Sequence, residues 1–322
     1  MREVSKPFPL FRLPVVPLTK INRYMDLQEI LLISLVSKKS AYIMRSLLPP
    51  NWFDLKLSFY SNYSEYIIKI VLRTKEPWDP VITKGRQLEK FYKLQVTEPS
   101  GDVSYQWAEP QLQDLVNITL THFATVFNPT ISISFKKVYS EEFVMGVMDH
   151  VKQLNLVKKS IKLPAVSMSP ENYKRILDEC KEVSKLWLYC EVTTDFEYHL
   201  KPDFRVDDLL ISDGHWMHLE DFSNCKTVTV LNSSEHKQLT YANPEVPRAL
   251  IRKWIESDCQ LEYLEVRAYW VGIDYREVLT GLEHRPTEQT EHSHSVEITR
   301  RCDGKKATVK CEKFRFEFKV IG

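Results

Sequence analysis

The sequence predicts a mixed α/β fold, and three observations lead to this class. Short apolar helices fill residues 7–50, helices and strands alternate after residue 131, and the chain ends in strictly alternating strands. Helical and strand periodicity in successive segments is typical of an α/β chain. We predict a three-helix module at 7–50, a strand-rich linking region at 51–130 and a repeat-like α/β domain at 131–322.

The N-terminal module has three segments of helical character, 15–25, 30–36 and 38–48. Asp26 followed three residues later by Glu29 is the capping-box pattern that opens a helix. A module of this size is too small to bury all its apolar side chains. The remainder either packs on the chain's own second domain or binds a partner protein, and both alternatives remain open at this stage.

The linking region alternates apolar and polar residues as half-buried strands do. Strands are predicted at 55–59, 66–72, 91–96 and 103–107, with a connecting loop at 75–86.

After residue 131, each predicted helix is followed by a strand. Helices are expected from Ser140, from Ser169, over 215–224 and over 244–257. Strands that recur after helices at roughly 35 to 40 residues per step predict a parallel sheet with helices on one side, as in a short leucine-rich-repeat-like solenoid. The turn Asp303-Gly304 lies among three further strands, which predict a C-terminal antiparallel cap.

The composition is that of a folded chain. Hydrophobic residues make up 43% and charged residues 27% of 322 residues, so wholesale disorder is not expected. The 44 basic and 43 acidic residues leave a net charge of +1, without the positive field on which nucleic-acid binding depends. The 8 glycines form neither of the two common phosphate-binding motifs. We therefore expect neither a nucleic-acid partner nor a nucleotide loop of those types.

Cysteine spacing and the N-terminus indicate a reducing compartment. The 6 cysteines show neither C-x-x-C nor zinc spacing, and prolines follow the N-terminus where a signal peptide would be apolar. We predict a cytoplasmic or nuclear location. The stretch 115–135 lacks charged side chains but is too polar to insert into a membrane. We interpret it as two strands joined by an Asn128-Pro129 turn.

Two groups of histidines are candidates for metal ligands. The first combines His284, His292 and His294 with Glu288 and Glu291. A flexible loop over 282–295 would not hold the fixed geometry that a metal site needs, so we interpret these residues as a surface loop.

The second pair, His215 and His218, we interpret as one face of a helix. Cys190 and Cys225 lie on or beside strands, where core packing is the default, and no hydrolase or protease motif is present. We predict no metal, no cofactor and no enzymatic activity.

Aromatic residues on the strands are the best candidates for recognition. Side chains alternate between the two sides of a strand, so one side carries Leu186, Leu188, Cys190 and Val192. The other side carries Trp187 and Tyr189. Tyr263 and Glu265 would extend the second side if the aliphatic residues between them point inward. This side predicts a binding surface for a protein, unless residues 55–125 fold over it.

Two segments resemble a known family. The first resembles the F-box of the large nematode F-box families and comprises Phe8–Pro14, Met25–Ile30 and Leu35–Lys39. The second is similar to the type 2 F-box-associated domain and includes Leu209–Ile211, Leu219–Phe222, Leu250–Ile255, Leu261–Val266, Asp303–Thr308 and Phe314–Phe318. The order and spacing of the two segments agree with the family's layout.

The resemblance implies a substrate receptor of an SCF-type ubiquitin ligase. Its F-box would dock on a Skp-type adaptor, and through it on a cullin, while the C-terminal domain captures a protein substrate. The alternative is a non-catalytic interaction scaffold that does not engage the ligase. The predicted adaptor-binding residues are Leu13, Pro14, Ile21, Leu27, Ile30, Leu31 and Leu35, and the predicted substrate-binding residues are Trp187, Tyr189, Tyr263 and Glu265.

Overall fold

The computed structural model contains both helices and strands, which confirms the mixed α/β class. It describes residues 10–49, 52–62, 65–74, 91–97, 109–136, 139–232, 243–257, 259–268, 277–290, 293–312 and 314–321. The chain divides into two compact units. The first comprises Met1–Ile133 with Glu142–Lys158, and the second comprises Ser134–Glu141 with Lys159–Gly322.

The first unit begins with three short helices, as predicted: α1 (Val15–Tyr24), α2 (Leu27–Leu35) and α3 (Lys38–Leu47). The capping box before α2 is formed in full. The carboxylate of Asp26 accepts the N–H of Glu29 at 2.8 Å, and the Glu29 carboxylate accepts the N–H of Asp26 at 2.8 Å. These bonds satisfy backbone donors that a helix start leaves unpaired, so the chain can turn sharply between α1 and α2.

A long helix, α4 (Glu109–Phe127), replaces the first of the two strands predicted within 115–135; only the second is present, as β4 (Thr130–Phe135). The many threonines and β-branched residues favoured a strand. The buried positions nevertheless recur at helical spacing, and three threonine hydroxyls donate to the carbonyl four residues earlier. Those buried positions are Leu112, Val116, Leu120, Phe123 and Phe127.

A hydroxyl in the last turn of α2 connects the helical module to α4. Ser34 donates to the carbonyl of Leu31 at 2.7 Å, which uses its single hydrogen. Its oxygen therefore accepts from Nε2 of His122, 2.8 Å away. Burial lowers the pKa of His122, which favours the neutral ring, with its proton on Nε2 in this contact.

The strands of the first unit form an antiparallel meander, with β1 (Phe53–Asn62), β2 (Glu65–Thr74) and β3 (Phe91–Thr97) in order beyond β4. The next helix, α5 (Glu141–Gln153), packs the ring of Phe143 edge-on against that of Phe59 on β1, with centroids 5.5 Å apart. The strand predicted at 103–107 and the loop predicted at 75–86 lie outside the described residues.

The second unit contains the predicted parallel sheet. Its strands are β5 (Lys158–Leu163), β6 (Lys185–Leu188), β7 (Asp208–Ile211), β8 (Thr227–Asn232) and β9 (Tyr263–Ala268), in that order. One side of the sheet carries a row of aliphatic side chains in register and fully buried. The row is Ile161, Leu186, Leu209, Val228 and Leu264.

Helix α6 (Pro170–Glu179) begins at its predicted start, and α7 (Glu245–Glu256) begins and ends close to its predicted bounds. The helix predicted over 215–224 is wrong, because the chain there forms only a short 3-10 helix at Leu219–Phe222. Five consecutive residues, 213–217, are buried. A surface helix with one buried face cannot bury five residues in a row, so tertiary packing prevents a regular helix.

The chain ends in the predicted antiparallel cap. It comprises β11 (Ser293–Thr299), β12 (Lys306–Glu312) and β13 (Arg315–Ile321), and β13 pairs with β9 of the parallel sheet. Gly304, in the turn before β12, has a φ of 73°, a conformation that glycine adopts without strain.

One further strand, β10 (Arg285–Gln289), corrects the prediction of a flexible loop over 282–295. It pairs with β11 and is the edge strand of the sheet in the described part of the chain. Its exposed side chains lack the apolar alternation by which strands are recognised, and Pro286 fits an edge position because it donates no hydrogen bond.

Candidate functional sites

The helix α2 is apolar on two opposite faces. The inner face, which includes Ile30 and Leu31, is buried. The other carries Leu32, Leu35 and Val36, which are 57%, 59% and 77% exposed and follow at the i, i+3, i+4 spacing of one helix face. We call these three residues the outer stripe. Exposed aliphatic residues in a contiguous stripe are typical of a surface that binds another protein.

The predicted adaptor-binding residues divide between surface and core. Pro14 and Leu35 are exposed, and Leu13 and Ile21 are partly exposed. Leu27, Ile30 and Leu31 are buried and lie outside the exposed surface of the helical module. They form the core that holds the three helices together, because the i, i+3, i+4 stripe that they occupy faces α3 and not solvent. The prediction missed several exposed apolar residues of the module: Val15, Val16, Tyr24, Leu32, Val36 and Tyr42.

Buried and partly exposed side chains alternate along β6 and the residues after it, as predicted. Leu186, Leu188 and Cys190 are fully buried, whereas Trp187 and Tyr189 between them are partly exposed. We call this partly exposed side of β5 to β9, with the cap strands that continue it, the outer face. The aromatic residues predicted for recognition therefore remain accessible.

A compact cluster of aromatic and charged groups occupies the outer face at β5 and β6. The ammonium of Lys162 lies 4.6 Å from the ring centroid of Trp187 and 5.1 Å from that of Tyr189, and the ammonium of Lys185 lies 4.5 Å from the Trp187 ring. Asp208 on β7 accepts the indole N–H at 3.2 Å and pairs with Lys185 at 2.8 Å. We call these five residues the Lys162 cluster. Its contacts orient the indole ring on the sheet.

Positive charge dominates around Lys162. Burial lowers the pKa of its ammonium, and the charges of Lys136 and Lys185 lower it further. No carboxylate among the described residues lies within ion-pair distance of this ammonium. Asp208, the carboxylate of the cluster, is already bonded to Lys185 and Trp187. Lys162 is therefore a partly buried cation without a counter-charge in the described part of the chain.

At β9 and β13 the outer face carries ion pairs between arginine and glutamate. The carboxylate of Glu265 pairs with Arg267 at 2.8 Å and with Arg315 at 2.6 Å, and Arg315 also pairs with Glu317. The hydroxyl of Tyr263 donates to Glu265 at 3.2 Å. Burial alone would raise the pKa of Glu265, but the Arg267 bond and the Arg315 charge outweigh it and lower the pKa.

Glu265 is only 5% exposed, which corrects its prediction as part of an open acidic edge. Arg267 and Arg315 cover it, because two arginines from neighbouring positions can both reach one carboxylate on a sheet surface. Tyr263 remains partly exposed, as predicted.

The histidines that the sequence offers as candidate metal ligands make other contacts in the structure. His284 is exposed, with Nδ1 2.8 Å from the carbonyl oxygen of Leu282, and His294 lies on β11. His292 and Glu291 fall outside the described residues. His218 stacks on His199, with ring centroids 3.8 Å apart. In the described ranges, no group of three or more histidine, cysteine or acidic side chains could hold a metal ion.

A buried polar pair in the second unit escaped the sequence analysis. His215 was predicted on a helix face, but it is buried beside Asp213, whose Oδ1 lies 2.8 Å from Nδ1 of the imidazole. The two residues are only two positions apart in a D-G-H sequence, which is not a recognised motif.

Cys190 and Cys225 are buried, as predicted for core positions, and burial raises the pKa of each to about 12.

No protein-family model matches the chain. The chain is 29% identical over 207 residues to the Skn-1 dependent zygotic transcript 15 protein of Caenorhabditis elegans, across 61% of this chain and 55% of that protein. It is 25% identical over 247 residues to the uncharacterized protein F59B2.8 of the same nematode, across 70% and 54% of the two chains. The chain spans about half the length of these curated relatives. The comparisons thus relate this chain to two nematode proteins.

No helix within the described residues is both long enough and apolar enough to cross a membrane.

Proposed function

We propose that this protein is the substrate receptor of an SCF-type ubiquitin ligase. In this role α1 to α3 act as an F-box that docks on a Skp-type adaptor and through it on a cullin. The parallel sheet with its antiparallel cap acts as a leucine-rich-repeat-like F-box-associated domain that captures a protein substrate. The protein would act in the cytoplasm or nucleus, where such ligases operate.

The outer stripe of α2 is the observation that carries the adaptor proposal. The module has its own core, and Leu32, Leu35 and Val36 are nevertheless exposed. Burying an exposed leucine side chain in a partner interface is worth about 1.5 to 3 kcal/mol. Three such residues on one helix face, with Pro14 exposed at the start of α1, are sufficient for the apolar centre of a protein interface.

The proposed receptor performs no chemistry of its own. Holding a substrate near a ubiquitin-charged enzyme converts a bimolecular encounter into an effectively intramolecular one. This mechanism requires two binding surfaces on one chain. The outer stripe and the outer face are candidates for these two surfaces.

Retention of the full-length protein on an immobilised, purified Skp-type adaptor tests the proposal. We expect the double variant Leu32→Glu with Val36→Glu, and separately Leu13→Ala with Pro14→Ala, to bind at least about tenfold more weakly than the wild type. Ile118→Glu is the matched control, because Ile118 is 71% exposed on α4, outside the proposed interface. This control should bind as the wild type does.

Two results would contradict the proposal. If the wild-type chain is not retained while a known F-box protein is, the chain is not a ligase receptor, and the alternative of a non-catalytic scaffold is supported. If the wild type is retained but the outer-stripe variant binds equally well, the adaptor interface lies elsewhere on the chain.

A further inference from the structure

We propose that the Lys162 cluster binds an acidic segment of a protein substrate, with an aspartate or glutamate side chain meeting Lys162 while the segment lies on Trp187 and Tyr189. This inference rests on the proposed receptor function and assigns a chemical class to the substrate.

The charge of the cluster favours an anionic partner. Lys162 lies opposite Trp187 on the neighbouring strand, and Lys185 lies two positions before Trp187 on the same strand. Asp208 pairs with Lys185. Both oxygens of Asp208 are engaged, one by Lys185 and one by the indole N–H. A carboxylate from a partner would supply Lys162 with the counter-charge that the described residues lack.

The geometry favours a peptide over a small anion. The lysine ammonium groups lie over the rings of Trp187 and Tyr189, which are both partly exposed on the outer face. Large rigid rings with a polar edge supply contact area at low entropic cost, which suits an extended segment.

The ion pairs elsewhere on the sheet favour this end for the acidic segment. At β9 and β13, Arg267 and Arg315 are neutralised by Glu265 and Glu317. On the cap, Lys306 pairs with Glu297 at 2.7 Å. An acidic partner therefore gains attraction at Lys162 that it does not gain at the paired cations of the same surface.

Fluorescence anisotropy with the full-length protein tests the inference. The probe is a short fluorescein-labelled peptide in which glutamate alternates with glycine and alanine, compared with the same peptide carrying glutamine in place of glutamate. We expect the glutamate peptide to bind more tightly, and its affinity to fall as salt is raised. Lys162→Gln should weaken binding about tenfold, as expected for loss of a charge-assisted hydrogen bond. Lys306→Gln removes the same charge from a paired position and should leave binding unchanged.

Several outcomes would overturn the inference. These are equal binding of the glutamate and glutamine peptides, equal weakening by Lys162→Gln and Lys306→Gln, and tighter binding of a single-stranded oligonucleotide than of the acidic peptide. Adaptor retention, measured on the same Lys162→Gln protein, should be unchanged. If the protein is retained on the adaptor but binds both peptides equally well, only the acidic-segment inference is refuted. If it prefers the glutamate peptide but is not retained on the adaptor, only the ligase role is refuted.

Discussion

The imidazole Nδ1 of His215 lies 2.8 Å from Oδ1 of Asp213, and both side chains are buried. The second carboxylate oxygen accepts the N–H of Val192 at 3.1 Å, and Nε2 of the imidazole lies 3.1 Å from the carbonyl oxygen of Thr193. The pair therefore joins the segment after β7 to the segment after β6. The connection between these two strands contains no helix in the structure, so this polar pair replaces the packing that a helix provides elsewhere.

Replacing Asp213 by alanine should strongly destabilise the protein. The substitution leaves His215 and the N–H of Val192 without their buried partner, which costs about 3 to 5 kcal/mol of unfolding free energy. Urea unfolding followed by circular dichroism measures the change. Asp203→Ala, which removes the exposed partner of Lys181, is the control and should have little effect. Equal stability of the two variants would show that the buried pair is not a structural link.

The carboxylate of Glu141 should make stability depend on pH. One of its oxygens accepts the N–H of Ser169 at 2.9 Å, the hydroxyl of Ser169 at 2.6 Å and the amide of Asn172 at 2.7 Å. Burial alone would raise the pKa of Glu141, but these hydrogen bonds outweigh it and lower the pKa. A carboxyl group with a lowered folded-state pKa stabilises the fold above its unfolded pKa of about 4.3, and this contribution is lost as the pH falls through the folded-state value.

We therefore expect Glu141→Gln to reduce the unfolding free energy at neutral pH by about 1 kcal/mol, with allowance for partial exposure. The difference from the wild type should shrink as the pH falls below about 4. Urea titrations at several pH values measure it. Glu142→Gln alters the neighbouring exposed carboxylate and should change neither stability nor its pH dependence. A constant difference at every pH would argue against the charged form as the stabilising species.

The two faces of α2 should respond differently to truncation. Ile30 is 1% exposed, so Ile30→Ala leaves a cavity and should cost about 2 to 5 kcal/mol of unfolding free energy. Leu32→Ala on the outer stripe should change stability by less than about 0.5 kcal/mol. Thermal and urea unfolding of the full chain compare the two. A large loss from Leu32→Ala would mean that the outer stripe is packed in solution.

Thiol labelling should identify a single reactive cysteine. Cys302 is exposed, and the other five cysteines are buried. Burial raises the pKa of Cys190, Cys225 and Cys311 to about 12, so these thiols are protonated at neutral pH. A maleimide reagent should label one cysteine in the folded protein and all six in urea, as counted by mass spectrometry. Cys302→Ser should abolish labelling of the folded chain. Labelling of that variant at a second site would contradict the burial described above.

Local sequence signals determined the helix starts and the turns. The Asp26 and Glu29 capping box, the Ser169-Pro170 start of α6 and the glycine turn at Gly304 all formed where they were predicted. The alternation of Trp187 and Tyr189 with aliphatic residues also determined which side of the sheet each occupies. These features involve residues a few positions apart, so the chain specifies them before distant segments meet.

Tertiary structure alone decided the features that depend on distant partners. The β-branched residues around Val116 favoured a strand, but burial of one helical face produced α4. Both sides of α2 are apolar, and contact with α3 and α4 determined that Ile30 points inward and Leu32 outward. Glu265 is buried because Arg315 reaches it from a strand some fifty positions later in the chain. Periodicity shows which residues share a face, whereas only the packing of distant elements determines which face is covered.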